Sequence, residues 1–516
     1  MGDAETGGLG RQRWIVFIGI MISVLMGALD QTIVSTALPD ILSSLGAGTD
    51  KITWIVSSYM ITMAATMPVY GRLSDMYGRK SLFEFSIIVF WVGSGLCGVA
   101  QTVTQLALFR AIQGIGGGGL ISLAMTIIGD IFSPRERGRY ISYMIVLIGL
   151  SNVLGPLLGG YLTDHYTWRL IFTINLPIGL LALAIIEPSL HLPVPDEDHS
   201  VDVLGVGLLL VATTATVFVA EWGGSKYDWN SWQIVVLALT AACGAALFLY
   251  QEATVEEPIL PLHLFSNPVV AGTLGLSFTA GVGRLVIISY VPTFLQYTRG
   301  VSATYAGVLL APMILGMVGV SFVVGQLITR TGRYKPFPVM GGVAGTVGFV
   351  MLSTIQWSTP FYAVSAYIAL AGAGFGLIMP VLTTAAQNAV DPKDLGSVTT
   401  TLSYLRALAG ALGVAVFGSI YSKELTHRLA RIALRGRSRA DLGPVVLHTP
   451  KVGRALREEV ILAVSRSMDK MFAALVPVMV VAFVIALLLP EWELSQEANV
   501  EMSEDEDAHV AAEPSD

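Results

Sequence analysis

Charge is scarce in this chain. Asp, Glu, Lys and Arg make up 13% of its 516 residues while hydrophobic residues make up 53%, so too little polar surface exists to coat a water-soluble fold. The composition is that of an all-α integral membrane protein. Cysteine is nearly absent: Cys97 and Cys243 both sit in apolar runs, which excludes a disulfide framework and a cysteine metal cluster. Basic charge is not in excess, with 30 Lys+Arg against 37 Asp+Glu and a net charge of −7, so no cationic stripe is available for nucleic acid. No G-x-x-x-x-G-K-[ST] occurs, which excludes ATP bound in a P-loop as the fuel, and Gly114 to Gly119 imitates a dinucleotide loop only within an apolar run with no preceding strand. All seven histidines are read in loops or tails, which excludes a histidine relay inside the membrane. No catalytic cluster is found, so no enzyme activity, cofactor or metal is expected. Residues 491–516 hold ten acids and no Lys or Arg and are expected to form a disordered acidic tail.

What the chain does have is apolar runs long enough to cross a hydrocarbon core of roughly 30 Å. There are fourteen, beginning at residues 14–38 and ending at 471–489 and including 170–186 and 303–328. Their length and uniform apolarity favour helices over barrel strands. The first run is too long for a signal peptide and lacks a cleavage site. Lys and Arg in the short loops place both termini in the cytoplasm. Residues 422–469 oppose that orientation, because this long outer loop carries ten Lys or Arg. The expected organisation is a cytoplasmic tail (1–13), a six-helix bundle (14–188), two extra helices with linkers (189–268), a second six-helix bundle (269–490) and the acidic tail (491–516).

An internal repeat supports this division. Gly71-Arg-Leu-Ser-Asp-Met-Tyr-Gly78-Arg79 recurs as Gly325-Gln-Leu-Ile-Thr-Arg-Thr-Gly332-Arg333, offset by 254 residues, and repeated halves with a substrate site between them are how many transporters are built. Residues 71–80 are read as a short turn whose two glycines relieve backbone strain. Asp75 and Arg79 could pair with a neighbouring helix N-terminus or with the basic segment 135–139. The bland alternative is a merely basic loop.

The first of these segments resembles motif A of the major facilitator superfamily, through Gly71, Asp75, Gly78 and Arg79. Leu29-Asp30-Gln-Thr-Ile-Val-Ser-Thr-Ala-Leu-Pro39 is similar to the first-helix motif of the fourteen-helix drug:proton antiporters. Arg110-Ala-Ile-Gln113-Gly114 resembles motif B, and Gly149-Leu-Ser-Asn-Val-Leu-Gly155-Pro156-Leu-Leu-Gly159-Gly160 resembles the antiporter motif C. Trp168-Arg169 through Asn175-Leu-Pro177 also looks like this branch. The resemblance implies two pseudo-symmetric six-helix bundles plus two additional helices, in a bacterial-type cytoplasmic membrane. It also implies exchange of amphiphilic compounds against protons, and a proton-coupling role for Arg110.

Asp30 stands out on physical grounds alone. It lies sixteen residues after Trp14, about 24 Å along a helix, where a carboxylate is costly and functional by default. Burial and a nearby cation push a carboxyl's proton affinity in opposite directions, so its protonation can switch with its surroundings; a permanently paired structural Asp is the alternative. Arg110 enters from the opposite side and reaches a matching depth. Gly155 and Gly159 permit close helix approach and Pro156 bends the helix, a seam that could equally be only a packing device.

Two departures from the branch matter. Where many of its members carry an acid in a Trp-Ile-Val-Asp pattern, this chain has Trp54-Ile-Val-Ser57. Arg284 stands 254 residues after Asp30, so that it either latches onto Asp30 across the pseudo-twofold axis or snorkels to headgroups. Arg406 lies deep without an acid nearby; a carbonyl, Asn152 or the substrate are its candidate partners. Three buried arginines against one aspartate disfavour a strongly polycationic substrate. Tyr59, Gln113, Tyr290 and Gln296 complete the candidate cavity. In the long outer loop, Leu425, Leu429 and Ile432 beside Arg428, Arg431 and Arg435 suggest a basic amphipathic stalk that touches headgroups or a periplasmic lipid carrier. The function expected is proton-coupled export of amphiphiles by a monomer surrounded by membrane lipids. Lipid export is the alternative, and a non-transporting receptor is the rival of another class.

Overall fold

The computed structural model describes residues 2–46, 52–192, 202–224, 226–301, 303–433, 454–492 and 494. Most of the acidic tail and much of the segment 422–469 lie outside these residues. The described residues form helices α1 (Gly2–Ser44), α2 (Ile52–Tyr77), α3 (Arg79–Val99), α4 (Val103–Ile131), α5 (Pro134–His165), α6 (Leu170–Thr173), α7 (Asn175–Ser189) and α8 (Val203–Trp222). There follow α9 (Trp232–Thr254), α10 (Pro268–Arg299), α11 (Ala303–Val308), α12 (Ala311–Thr331), α13 (Pro336–Leu352), α14 (Phe361–Asn388), α15 (Leu395–Ala433) and α16 (Arg454–Leu488).

Local chemistry sets the helix starts. Thr102, Asp202, Ser231 and Asn267 each accept a hydrogen bond from a backbone N–H of the first turn, satisfying donors that the helix leaves free. Pro134 opens α5, where its missing N–H costs nothing. The expected run 170–186 divides at Ile174 into α6 and α7, and the run 303–328 divides into α11 and α12, whose first turn holds Pro312. Two histidines read as loop residues belong to helices instead: His165 ends α5 and His427 lies within α15.

Twelve helices are long and apolar enough to cross a membrane among the described residues. Against the fourteen expected, the difference is α2 and α13. Helix α13 is apolar but only 17 residues long, about 26 Å, and α2 carries Arg72 and Asp75 in its last turns.

Helices α1 to α7 pack into one bundle, with α4 lying between α2 and α3 and α1 between α5 and α7. Helices α10 to α16 form the second, with α10 against α14, α15 and α16 and α13 against α14 and α16. The glycine run of α4 serves packing: a Cβ at Gly114 or Gly118 would strike the α2 backbone at Tyr59 or Met63, and one at Gly116 would strike α3 at Phe90. The halves meet where α5 packs on α12 and α15 packs on α2 and α4. The extra helices α8 and α9 pair with each other, and α8 leans on both α2 and α15.

The chain continuing α15 behaves differently from a free stalk. Helix α15 runs unbroken to Ala433, and α16 begins at Arg454, so the two project together. Leu425 is buried, and Leu429 and Ile432, like Tyr297 of α10, pack against Val460 of α16. Glu424 pairs with Arg428 at 2.7 Å and with Lys470 at 2.5 Å. The apolar stripe therefore faces α16 rather than lipid; Arg435 lies outside the described residues.

Candidate functional site

Asp30 is fully buried in the N-terminal bundle, and Arg110 is 2% exposed. The Arg110 Nη1 donates to Asp30 Oδ2. The same guanidinium donates to Gln113 Oε1 at 2.7 Å, and Gln113 Nε2 donates to Asp30 Oδ1 at 2.8 Å. Asn175, first residue of α7, reaches the same carboxylate oxygen at 3.4 Å and the Ser94 hydroxyl at 2.9 Å. The Arg110 guanidinium lies 4.1 Å from the centroid of the Tyr59 ring, a face that attracts cations. An acceptor-only carboxylate thus meets donors from α4 and α7 in one closed network.

Helix spacing explains this convergence. Arg110 and Gln113 are three residues apart and share a face of α4, and both reach Asp30 of α1. Motif C adjoins the network from the other side: a Cβ at Gly155 would collide with Thr32, and the Thr32 hydroxyl donates to the Ser151 carbonyl at 3.0 Å. Pro156 lies inside α5. Gly149 is closed by Val318 of α12, while a Cβ at Gly160 would meet open space. Gly159 is buried, and its carbonyl accepts from Thr163 at 2.7 Å.

The motif A segment is not the turn expected of residues 71–80. Helix α2 continues to Tyr77 and α3 starts at Arg79, so only Gly78, at φ +88°, makes the turn. Gly71 lies within the helix for another reason: a Cβ there would run into Thr400 and the Gly396 carbonyl of α15, 2.8 Å away. Asp75 caps that helix, accepting from the backbone N–H of Gly396 at 2.9 Å and of Ser397 at 2.8 Å. A carboxylate at a helix N-terminus is favourable in charge and in donor geometry. Arg79 pairs with Asp75 at 3.1 Å and Asp130 at 2.5 Å, and donates to the Pro392 carbonyl at 2.9 Å. One residue cluster thereby ties the two halves together.

The C-terminal candidates do not join the Asp30 network. Arg406 Nε donates to the Ser277 hydroxyl at 3.3 Å; this hydroxyl, rather than Asn152, is its recorded partner, and Asn152 sits half-buried on α5. Arg284 lies within electrostatic range of Arg406, and among the described residues no ion pair joins it to Asp30. Tyr290 donates to the Val414 carbonyl at 3.2 Å and its ring lies 5.8 Å from that of Tyr421. Gln296 lies near the end of α10, half-buried.

Three residues were not anticipated as site residues. Asn175 and Ser94 complete the Asp30 network; Asn175 stood within a quoted motif, but its rotation toward Asp30 cannot be counted from spacing. Glu221, at the end of α8, accepts a hydrogen bond from Ser57, so the neighbouring helix brings a carboxylate to the position where an acid was missing. Trp54, Phe218 and Trp222 pack edge-on and stacked around it.

Comparison with known proteins agrees with this architecture. The chain is 38% identical to multidrug resistance protein 3 of Bacillus subtilis over 414 residues, which cover 80% of each chain. It is 34% identical to the multidrug transporter protein MdtP of the same organism, over 79% of this chain and 75% of that one. The fold is shared with the human organic anion transporter MFSD10, at a TM-score of 0.62 and 16% identity, covering 92% of this chain and 99% of that one. The sequence matches the Major Facilitator Superfamily over residues 20–414, and this multi-pass membrane protein belongs to that family of transporters.

Proposed function

We propose that the protein is a proton-coupled exporter of amphiphilic or lipophilic compounds, an antiporter of the multidrug-efflux type with fourteen membrane-spanning helices. The reading places it in a bacterial-type cytoplasmic membrane with both termini inside. The observation that carries it is the Asp30 network: one acid, fully buried at membrane depth, held by Arg110, Gln113 and Asn175. Relatives named for multidrug resistance and transport support the export half of the reading.

In this reading the coupling works by exchange of partners. Protonating Asp30 removes the charge that holds Arg110 and turns one acceptor into a donor, so the network must rearrange. Thr32, two residues on, contacts motif C on α5, which offers a route from that rearrangement to the seam between halves. A membrane potential supplies about 2.3 kcal/mol per charge per 100 mV, and a pH gradient adds to it.

Proteoliposomes loaded with a fluorescent amphiphile and given an imposed pH gradient test this. Wild-type protein should move dye against its gradient while dissipating the pH difference, and Asp30→Asn should abolish both while still inserting. Normal coupled transport by Asp30→Asn would remove the acid from the mechanism.

A further inference from the structure

The two halves differ in how the charges inside their bundles are balanced. In the N-terminal half Asp30 and Arg110 neutralise each other. In the C-terminal half Arg284 and Arg406 stand within electrostatic range of one another, and among the described residues no acid pairs with either. Arginine stays charged in any protein environment. Bringing two such cations out of water costs several kcal/mol each unless an anion compensates.

The local geometry leaves donors to spare. Ser277, Gly281 and Arg284 lie at spacings of four and three on one face of α10. Gly281 has no side chain because the Arg406 backbone occupies that space, with its Cα 3.1 Å from where a Cβ would be. Arg406 uses its Nε on Ser277, while Arg406 Nη2 and Arg284 Nε are buried with no hydrogen-bond partner. Helix α10 is packed by α14, α15 and α16, so this face looks onto protein rather than acyl chains. Six residues farther along α10, about 9 Å, the half-buried Tyr290 forms an aromatic pair with Tyr421. Unsatisfied cationic donors next to an apolar and aromatic wall match a ligand with an anionic head and an apolar body.

We propose that Arg284 and Arg406, with Ser277 orienting the latter, bind the anionic group of an amphiphilic substrate: a carboxylate, sulfonate or phosphate. The inference rests on the export reading in taking this wall as part of the substrate path. It turns the asymmetry into a division of labour. The N-terminal half holds the acid that exchanges protons, and the C-terminal half holds the charge that selects cargo.

Two dyes that share a xanthene body but differ in charge, anionic fluorescein and cationic rhodamine 6G, test it on purified protein in phosphatidylcholine nanodiscs by fluorescence polarisation. Wild-type protein should bind fluorescein, and Arg284→Gln combined with Arg406→Gln should weaken it about tenfold or more, the worth of hydrogen bonds to a charged group. Rhodamine binding by the same variant reports that it is folded and should hold or tighten, since two like charges are removed, while Arg→Lys at both sites should keep more fluorescein affinity than the glutamines do, since the charge remains and the planar donors do not. Added phosphatidylglycerol that competes with fluorescein would make a lipid headgroup the occupant; lack of competition would leave a soluble amphiphile. Either supports the site.

The proposal is overturned if wild-type protein does not bind fluorescein, if the double variant binds it unchanged, or if both dyes are lost together. It also fails if inorganic phosphate alone occupies the site and fluorescein does not displace it. Export is scored separately in proteoliposomes. Rhodamine moved under a pH gradient with no fluorescein binding sinks the anion site and leaves export standing. Fluorescein binding that needs both arginines, with no dye exported, does the reverse.

Discussion

The seams that join the two halves are built on the same nine-residue repeat, yet only the first carries an acid that caps a helix of the other half. At the first, Gly71 of α2 lets α15 approach, and Asp75 caps the incoming helix while Arg79 reaches Asp130 and Pro392. At the second, Gly325 of α12 lets α5 approach at Gly138 and Ser142, while Gly332, at φ +69°, ends α12 in a left-handed turn where Gly78 has an extended ψ. The residue matching Asp75 is Thr329, whose hydroxyl donates back to the Gly325 carbonyl of its own helix at 2.9 Å. Close approach is thus preserved at both seams, and electrostatic fastening is concentrated in one. The membrane interior repeats the lesson: Asp30 has a counter-ion, and among the described residues its repeat partner Arg284 has none.

The largest contrast is expected from the cations inside the two bundles. Arg110→Gln should leave Asp30 as an uncompensated buried charge and cost about 3–5 kcal/mol, read as a fall in thermal unfolding temperature in detergent. Arg284→Gln removes a cation without an acid partner, and its unfolding temperature should hold or rise. Equal losses in the two variants would show that Arg284 has a counter-ion after all.

The glycines come next. Gly71→Val and Gly325→Val should each overpack a seam by about 1–3 kcal/mol, with cysteines placed across each seam becoming more reactive to a thiol reagent. Because Gly71 faces both Thr400 and the Gly396 carbonyl while Gly325 faces Ser142 and the Gly138 carbonyl, the two effects should match, and a silent Gly325→Val would end the claim of equal packing. The smallest expected effect separates the fastenings. Asp75→Asn should weaken the α15 cap by about 1 kcal/mol and open the first seam to the same reagent, whereas Thr329→Val should stay within about 0.5 kcal/mol and leave the second seam as it was.

Much of this organisation was readable before any coordinates. Depth alone brought Asp30 and Arg110 together, because two helices entering from opposite sides place them at one level, and the 254-residue offset marked the two copies of the repeat without showing that they face the other half. Rotation about helix axes was not readable, which is why Ser94 and Asn175 were missed as ligands of Asp30. Gly71 was taken for a turn residue because close approach and positive φ both call for glycine, and the sequence around it does not distinguish them. The apolar stripe at Leu425, Leu429 and Ile432 was correctly periodic, but its occupant, α16, begins only at Arg454, too far along the chain for periodicity to reveal. Glu221 escaped notice because it sits beside Trp222 at a helix end, where an acid reads as an interfacial residue. Its partner Ser57 lies 164 positions away.

Helix α8 touches both sides of the joint. Through Glu221 it grips α2 of the first bundle at Ser57, and through Thr213 it meets the Tyr404 hydroxyl of α15 in the second at 2.8 Å. A strap fastened to both leaves of a hinge limits its swing. If the bundles rock, α8 cannot keep both fastenings unstrained, even though it contributes nothing to the Asp30 network.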